Sequence, residues 1–587
     1  MKVLKNKVLL ITLSIIVLIL LISATSRFNM YLEVTTEDVY FKAMDGAKIH
    51  AVIYKKAGST DKMPAVIVVH GFSESQASMT AISTELARHG VVVMALDYRG
   101  HGDSEGGLDY IGDPLLSPNI TNDLIVAYQN LISRADVDAS RIGLIGHSMG
   151  SRAVLSFASF NPKIISTIML GPYYVWEADL VNTSNPKNLL IIVGKNDIIT
   201  PPNLGIELFS RGTGYAGVIG EIYGNFTDGT ARKLVIVKDA DHYTILSNKQ
   251  VLKEILEWEY NSLELDGTPD IKVDPSIASA GLIINYLMLI LIFPVISLTI
   301  GLLKSRFSPG EEVSLDFKWY IRLFIISIGV LVYTYAAYFY FPIIVEIGWK
   351  SYQMFILSGA QYTFYYFFYL VMLILILLLI YALMIVLAKK VTLEILLNTV
   401  KKRIFGGLIL GVFVSLIVFI TVFICINLAF TGVTGDYLLT LSRWTVFIYF
   451  VVLLFPLLLV DELFLRYVIQ SNIITNRKAI KIGVTIVIEY LIRIIPLMMW
   501  FMLATNMPAL VDVIYKYYEA GLISDVDIVT AFLPMNSYAL YYSFSSIELI
   551  HATSASYIFE ETKNILSSTL IRALTLAFTM AAVMPFL

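Results

Sequence analysis

Three side chains in this 587-residue chain stand in an order that could do nucleophilic chemistry: Ser148, Asp197 and His242. The serine lies in Gly146-His147-Ser148-Met149-Gly150, with a small residue two positions before it and two after. That spacing lets the backbone turn sharply and holds the hydroxyl at the tip of a strained turn. Without partners a G-x-S-x-G is more often a plain turn. A serine hydroxyl becomes a nucleophile only when a base removes its proton. His242 is the expected base, and Asp197 is expected to fix its tautomer and stabilise the imidazolium. The developing oxyanion needs backbone donors. Met149, directly after the serine, supplies one N–H, and Phe72 in His70-Gly71-Phe72 supplies the other. Losing such a donor typically costs about 10²–10³ in rate. The chemistry is attack on an ester or amide carbonyl through an acyl-enzyme, with no metal and no cofactor. Asp239 and Asp241 are too close to His242 in sequence to orient it and read as loop acids. His147 reads as a packing residue beside the turn, and His50 and His89 as surface or packing residues.

These residues need rigid elements to present them. Ala47–Lys55 alternates as a half-buried strand, while Ala65–His70 and Val91–Asp97 are continuous apolar runs, as in strands buried on both faces. Further strands are expected at Arg141–Gly146, Ile164–Leu170, Asn188–Val193 and Lys233–Val237. Helices are expected over residues 76–89, Asn119–Ser133, Ser148–Phe160 and Asn248–Tyr260. Strands alternating with helices imply a mostly parallel sheet with helices on both faces. Ser148 then falls between a strand and a helix, and Asp197 and His242 fall just past later strands.

The segments HGFSES, DYRGHGDS (Asp97–Ser104), GHSMG, GKNDIITPP and DADHY occur in the order and spacing of α/β-hydrolases. Across roughly residues 34–262 the chain resembles the monoacylglycerol-lipase and serine-aminopeptidase branch of that superfamily. The resemblance implies the α/β-hydrolase fold and serine hydrolase activity, esterase, lipase or peptidase. It also implies that Arg99, His101 and Asp103 form a structural loop beside the nucleophile. Between the strands ending at Leu170 and starting at Asn188 there is room only for a short cap. Tyr173, Tyr174 and Trp176 there could line an acyl site, and the insertion Arg211–Arg232 could form another wall. The expected substrate is a small molecule, lipid or peptide.

Composition divides the chain. It is 57% hydrophobic and 15% charged, with a mean hydropathy of +0.72, against about 25% charged in ordinary soluble domains. The apolar excess lies at residues 8–24 and beyond residue 278. Three parts are expected: an N-terminal transmembrane anchor (1–26), an extracytoplasmic hydrolase domain (27–270), and an all-α polytopic transmembrane bundle (271–587). Spans of near ~20 apolar residues fall at about 279–303, 319–341, 362–388, 405–430, 444–460, 480–503, 527–550 and 565–585. Lys2, Lys5 and Lys7 precede the first run, and basic residues cluster at alternate loops (Lys304 and Arg306; Lys389 to Arg403; Arg466 to Lys481). This places the N-terminus in the cytoplasm and the globular domain outside the cell membrane. The sequons at Asn119, Asn182 and Asn225 all fall in the globular part and are compatible with export. With one cysteine, Cys425, no internal disulfide is possible. A net charge of −3 and no basic cluster beyond the membrane flanks exclude nucleic acid as an expected partner, leaving substrate and membrane lipids.

Ionisable residues in the apolar part call for a functional hypothesis. The stretch FPLLLVDELFLRYVIQ, carrying Asp461, Glu462 and Arg466, is similar to the first motif of the CAAX-processing intramembrane protease family, over roughly residues 444–585. His551 could stand for that family's first histidine. The first acid is Asp461 rather than Glu, and no histidine follows His551, so a two-histidine site cannot be completed. The alternative is an ion cluster at a helix end. Glu489 and Arg493, four apart, share a helix face and are placed to pair. Two rival functions follow: a transporter or membrane-assembly protein with a ligand-binding hydrolase-like domain, and a bifunctional protein with a degenerate intramembrane protease.

Overall fold

The computed structural model describes residues 33–71, 74–105, 120–172, 176–197, 200–242 and 244–272. In the C-terminal part it describes 447–448, scattered positions from 451 to 475, 477–505, 551–560, 563 and 565–583. The chain divides into two compact units, one built chiefly on residues 17–286 and the other on 287–424 and 439–582.

The first unit is an eight-stranded sheet. Its strands are β1 (Val34–Lys42), β2 (Lys48–Lys56), β3 (Met63–Val69), β4 (Val92–Leu96), β5 (Val137–His147), β6 (Ile164–Leu170), β7 (Leu189–Gly194) and β8 (Arg232–Val237). They lie in the order β1-β2-β4-β3-β5-β6-β7-β8. Only β2 runs against its neighbours. All seven residues of β3 and all five of β4 are buried. That is why these strands read as continuous Val, Ile, Met and Ala runs rather than alternating patterns. The helices are α1 (Thr80–Arg88), α2 (Ile120–Ile132), α3 (Met149–Phe160), α4 (Pro202–Gly212) and α5 (Lys249–Ser262). Ile82 and Leu86 of α1 share one core with Val251, Ile255 and Leu256 of α5 and with Val66, Val68 and Ile145 of the sheet. The other face carries α2 and α3, which pack on each other, and α4, whose Gly205 lies against Ile191 and Val193 of β7.

Register decides where the chemistry falls. Val69 sits beside Gly146, His147 beside Leu170, Leu170 beside Ile192, and Gly194 beside Val237. The carboxyl ends of β3 and β5 to β8 are therefore level, and the loops that follow them meet at one edge. Chain order reverses between β3 and β5, the place where open α/β sheets bind ligands. The chain enters β1 and leaves α5 at the opposite end, where Lys272 Nζ lies 3.0 Å from Glu33 Oε1.

Some elements escaped the sequence pattern for identifiable reasons. β1 is an edge strand with most of its residues exposed, so it carries no apolar rhythm. α4 starts on Pro202, directly after Pro201, a pair that suggests a turn although proline is tolerated in the first turn of a helix. The helix expected at 76–89 opens with a 3-10 turn over Gln76–Met79. His70 and Asp97 lie just past their strands, and β5 begins earlier than Arg141, at Val137.

In the second unit the described elements include a π-helical turn at Phe464–Ile469, a 3-10 turn at Gln470–Asn472 and the helices α6 (Lys478–Thr505), α7 (551–560) and α8 (Ile565–Val583). Residues 480–503 are helical within α6, and the described part of 565–585 is helical to Val583 in α8. The run at 8–24 and the spans at 279–303, 319–341, 362–388, 405–430 and 527–550 lie outside the described residues, and 444–460 is described only in part. Among the described residues no helix is long and apolar enough to cross a membrane.

Candidate active site

Ser148 sits between the last residue of β5 and the first of α3 with φ 51° and ψ −118°, a conformation that costs a non-glycine residue about 1–3 kcal/mol. Its neighbours allow it. A Cβ on Gly146 would lie 2.3 Å from the carbonyl oxygen of Gly150, and one on Gly150 would lie 2.6 Å from that of Val69 and 2.7 Å from that of His70. All these obstacles are backbone, so neither glycine can be replaced without parting α3 from the sheet. Two hydrogen bonds pin the turn: Ser148 N–H donates to the Leu170 carbonyl (2.9 Å), and Ser151 Oγ donates to that of Gly146 (2.7 Å).

The three chain-distant residues meet here. His242 Nε2 is 2.9 Å from Ser148 Oγ, and His242 Nδ1 is 2.8 Å from Asp197 Oδ2. All three side chains are buried. Burial opposes the charge of Asp197, but the His242 ring and hydrogen bonds from Thr200 outweigh it and hold the carboxyl below its usual range. Thr200 had gone unnoticed in the sequence. Its N–H donates to Asp197 Oδ1 and its hydroxyl to Oδ2, both at 2.7 Å. The one trace in the sequence is its place three residues after the aspartate, since an aspartate readily accepts hydrogen bonds from its own loop. Gly171 closes the site from β6, where a Cβ would stand 3.3 Å from Asp197, His242 and Thr200. Asp241 accepts hydrogen bonds from Thr244 at 2.8 Å within its own loop, away from the His242 ring.

Met149 holds the first position of α3, where the N–H has no intrahelical partner. Phe72, the other expected donor, lies outside the described residues, as do Tyr173 and Tyr174; Trp176 opens a 3-10 turn ending at Leu180. The loop that brings Gly71 to the serine is tied by Glu74, whose Oε2 accepts the Gly71 N–H at 2.8 Å.

The loop after β4 is structural. Arg99 donates to Asp123 of α2 (Nη2 to Oδ1, 2.7 Å), and Asp97 accepts the Gln76 and Asp103 N–H groups. His50 is buried, not a surface residue, between Asp97 and Asp38, each facing one ring nitrogen. Burial works against its charge, yet the two carboxylates raise it to about 9.

Residues 60–195 match the serine aminopeptidase S33 family model. The chain is 25% identical over 218 residues to cutinase est1 of Thermobifida alba, covering 36% of this chain and 64% of that protein. It is 25% identical over 208 residues to a bis(hydroxyethyl) terephthalate hydrolase of Streptomyces coelicolor, covering 35% of this chain and 59% of that one. The chain thus spans less than two thirds of the length of these curated relatives. Among solved structures, the α/β-hydrolase GrgF from Penicillium sp. sh18 aligns at 14% identity and a TM-score of 0.31, covering 39% of this chain and 100% of that one. The N-terminal unit has the α/β-hydrolase fold. Family model and relatives together support a serine hydrolase.

The second candidate cluster has a different character. Arg466 donates to Glu462 (Nε to Oε2, 2.7 Å) and to Glu489 (Nη2 to Oε2, 2.7 Å). Arg572 donates to Asp461 and to Glu462, both at 2.7 Å. Glu489 is therefore engaged by Arg466 from another element, and the side chain of Arg493 lies outside the described residues. Asp461, Glu462, Arg466 and Glu489 are all buried, so this is an internal ion network rather than an exposed helix-end cluster. Breaking a buried pair of this kind typically costs about 3–5 kcal/mol, because the survivor is left uncompensated. His551 is buried on α7. Among the described residues no group of His, Cys, Asp and Glu could hold a metal ion.

Proposed function

We propose that this protein is a membrane-anchored ester hydrolase whose N-terminal unit works by a Ser-His-Asp acyl-enzyme mechanism. Ser148 Oγ attacks the carbonyl carbon while its proton passes to His242 Nε2. Asp197 steadies the imidazolium, and the N–H groups of Met149 and Phe72 receive the oxyanion. The proton then goes to the leaving alcohol. Water, deprotonated by His242, releases the acid in a second round. The observation that carries this reading is the buried Asp197–His242–Ser148 hydrogen-bond chain ending on a serine with positive φ. Preference for an ester over a peptide is supported by the relatives named as a cutinase and a terephthalate-ester hydrolase.

A fluorophosphonate probe applied to membranes carrying the full chain tests it. Wild type takes the label and Ser148→Ala does not; a label that is absent, or that survives the substitution, overturns the reading.

Membrane anchoring and an outward-facing hydrolase domain rest on the apolar runs and on the alternation of basic loops. A membrane-impermeant thiol reagent added to intact cells should modify a cysteine introduced at residues 262–270, in a chain whose Cys425 is replaced by serine. Modification only after the cells are opened would reverse the orientation.

A further inference from the structure

Beside the triad lies a second histidine–carboxylate pair, one that the acyl-enzyme steps do not use. Glu74 Oε2 faces three donors: the Gly71 N–H at 2.8 Å, Ser78 Oγ at 3.1 Å and His147 Nδ1 at 3.0 Å. The other ring nitrogen of His147, Nε2, is 2.9 Å from the backbone carbonyl oxygen of His242. A carboxylate and a carbonyl can only accept. A neutral imidazole has one N–H and satisfies one of them; satisfying both requires the imidazolium. His70, one strand away, shows the contrast. Its Nδ1 faces the Gly71 carbonyl, while its Nε2 faces the Tyr98 N–H, so a neutral ring serves both.

The contacts of this pair join the pieces that catalysis needs in register. His147 precedes the nucleophile. Glu74 holds the loop that leads into Phe72. The His242 carbonyl belongs to the base, whose ring centroid lies 4.8 Å from that of His147. There is no slack: a Cβ on Gly71 would stand 3.0 Å from both His147 Nδ1 and Ser148 Cβ. We infer that Glu74 and His147 form a buried ion pair that positions the nucleophile turn, the Gly71 loop and the backbone of His242 as one unit, with His147 a permanently charged positioning residue. This inference rests on the serine hydrolase reading above.

The charged and titratable groups facing His147 are Glu74, His70 across the Gly71 loop, and Asp197 and His242 from the loops after β7 and β8. Burial disfavours the imidazolium, but the charge and hydrogen bond of Glu74 outweigh burial and raise the ring above its ordinary value. Burial likewise opposes ionisation of Glu74, yet the charge and hydrogen bond of His147, with the Gly71 N–H, bring it down to about 2.

Glutamine at position 74 keeps an oxygen for Gly71 but loses the charge. His147 then sheds a proton as the pH rises, and one of its two contacts fails. In the full chain in detergent, with a short-chain p-nitrophenyl ester, Glu74→Gln should lower kcat by about 10–100-fold at alkaline pH, the range expected for a small displacement of catalytic groups. KM should stay within about threefold, since no substrate contact is lost. The deficit should shrink as the pH is lowered, because acid restores the second ring proton; wild type lacks this alkaline decline. His147→Asn, which cannot titrate, should lower kcat without a new pH dependence. The double variant should be no worse than the poorer single one, as for residues acting as a unit. Wild-type kcat, a pH-independent deficit in Glu74→Gln, or a loss confined to KM would overturn the inference. If Glu74→Gln fails to fold, judged by its heat-denaturation transition, His147→Asn decides: reduced kcat at unchanged KM supports the pair, and unchanged kcat ends it. Failure of the parent reading looks different, since wild type itself would then take no fluorophosphonate label.

Discussion

If the proposed mechanism holds, alanine at His242 should leave ester hydrolysis about 10⁴–10⁶-fold slower in kcat while substrate binding changes little, the scale seen when a serine hydrolase loses its base. The size follows from geometry. Ser148 Oγ has His242 Nε2 at 2.9 Å to take its proton. Without the ring the hydroxyl stays protonated and attacks only weakly. Asn at Asp197 should cost about 10⁴-fold while leaving the structure intact. An amide nitrogen at Oδ2 would face Nδ1 as a donor and favour the wrong tautomer. Thr200 makes this a sharper test, because its hydroxyl and N–H already engage both carboxylate oxygens and keep position 197 in place after the substitution. Steady-state kinetics on a p-nitrophenyl ester checks both, with binding of a non-hydrolysable analogue as the control for folding. A His242→Ala variant within tenfold of wild type would remove His242 from the mechanism.

The hydrolase domain should lose stability as the pH rises through the neutral range, and Glu259→Gln should remove a large share of that loss, with His50, raised to about 9, losing its contribution over the upper part of the same range. Glu259 lies on α5, fully buried against Gly143 of β5 and Ser166 of β6, and neither carboxylate oxygen meets a donor in good hydrogen-bond geometry, the Ser166 hydroxyl lying beside the carboxylate. Burial pushes its carboxyl up to about 8 from an ordinary 4.5, and the Ser166 hydroxyl beside it offsets little of this. The folded state therefore binds a proton that the unfolded chain has already released. The contribution of Glu259 to stability is full below about pH 4.5, falls between there and about pH 8, and is gone above. By the relation between pKa and free energy the loss is on the order of a few kcal/mol at pH 8. Glutamine keeps the shape without the charge, so heat inactivation of fluorophosphonate labelling, followed from pH 5 to pH 8.5, should show variant and wild type converging in acid and separating in base. A parallel offset at every pH would mean that Glu259 stays charged when folded.

The part of the active site legible in the sequence is the part governed by local sterics. Gly146 and Gly150 are needed because the backbone leaves no room for a Cβ within five residues of one another, and such a constraint is written into a short motif. Continuous apolar runs marked β3 and β4 because both faces of these strands are buried. β1 lacked such a mark, since an edge strand exposed to water is under no pressure to alternate. Thr200 was missed although it stands three residues from Asp197, because threonine in a Pro-containing loop carries no distinguishing pattern. The ion network was legible in the sequence as Asp461 and Glu462 with Arg466; Glu489, which accepts from Arg466, and Arg572, which donates to the two acids, come from separate helices.

Sequence by itself determined the order of Ser148, Asp197 and His242, the proposed nucleophile, acid and base, their places at strand ends, and the division of the chain into a globular and an apolar part. Each of these follows from neighbours along the chain. Which protons the buried groups carry was decided only by the tertiary structure. His70, His147 and His50 are the same residue type at similar burial, yet one faces an N–H and a carbonyl, another a carboxylate and a carbonyl, and the third two carboxylates. Glu74 and Glu259 are likewise both carboxylic acids removed from water, one held ionised by an imidazolium and the other driven neutral by burial with no cation beside it. Protonation inside a protein is set by what lies within about 3 Å, and those neighbours arrive from residues far away in the chain.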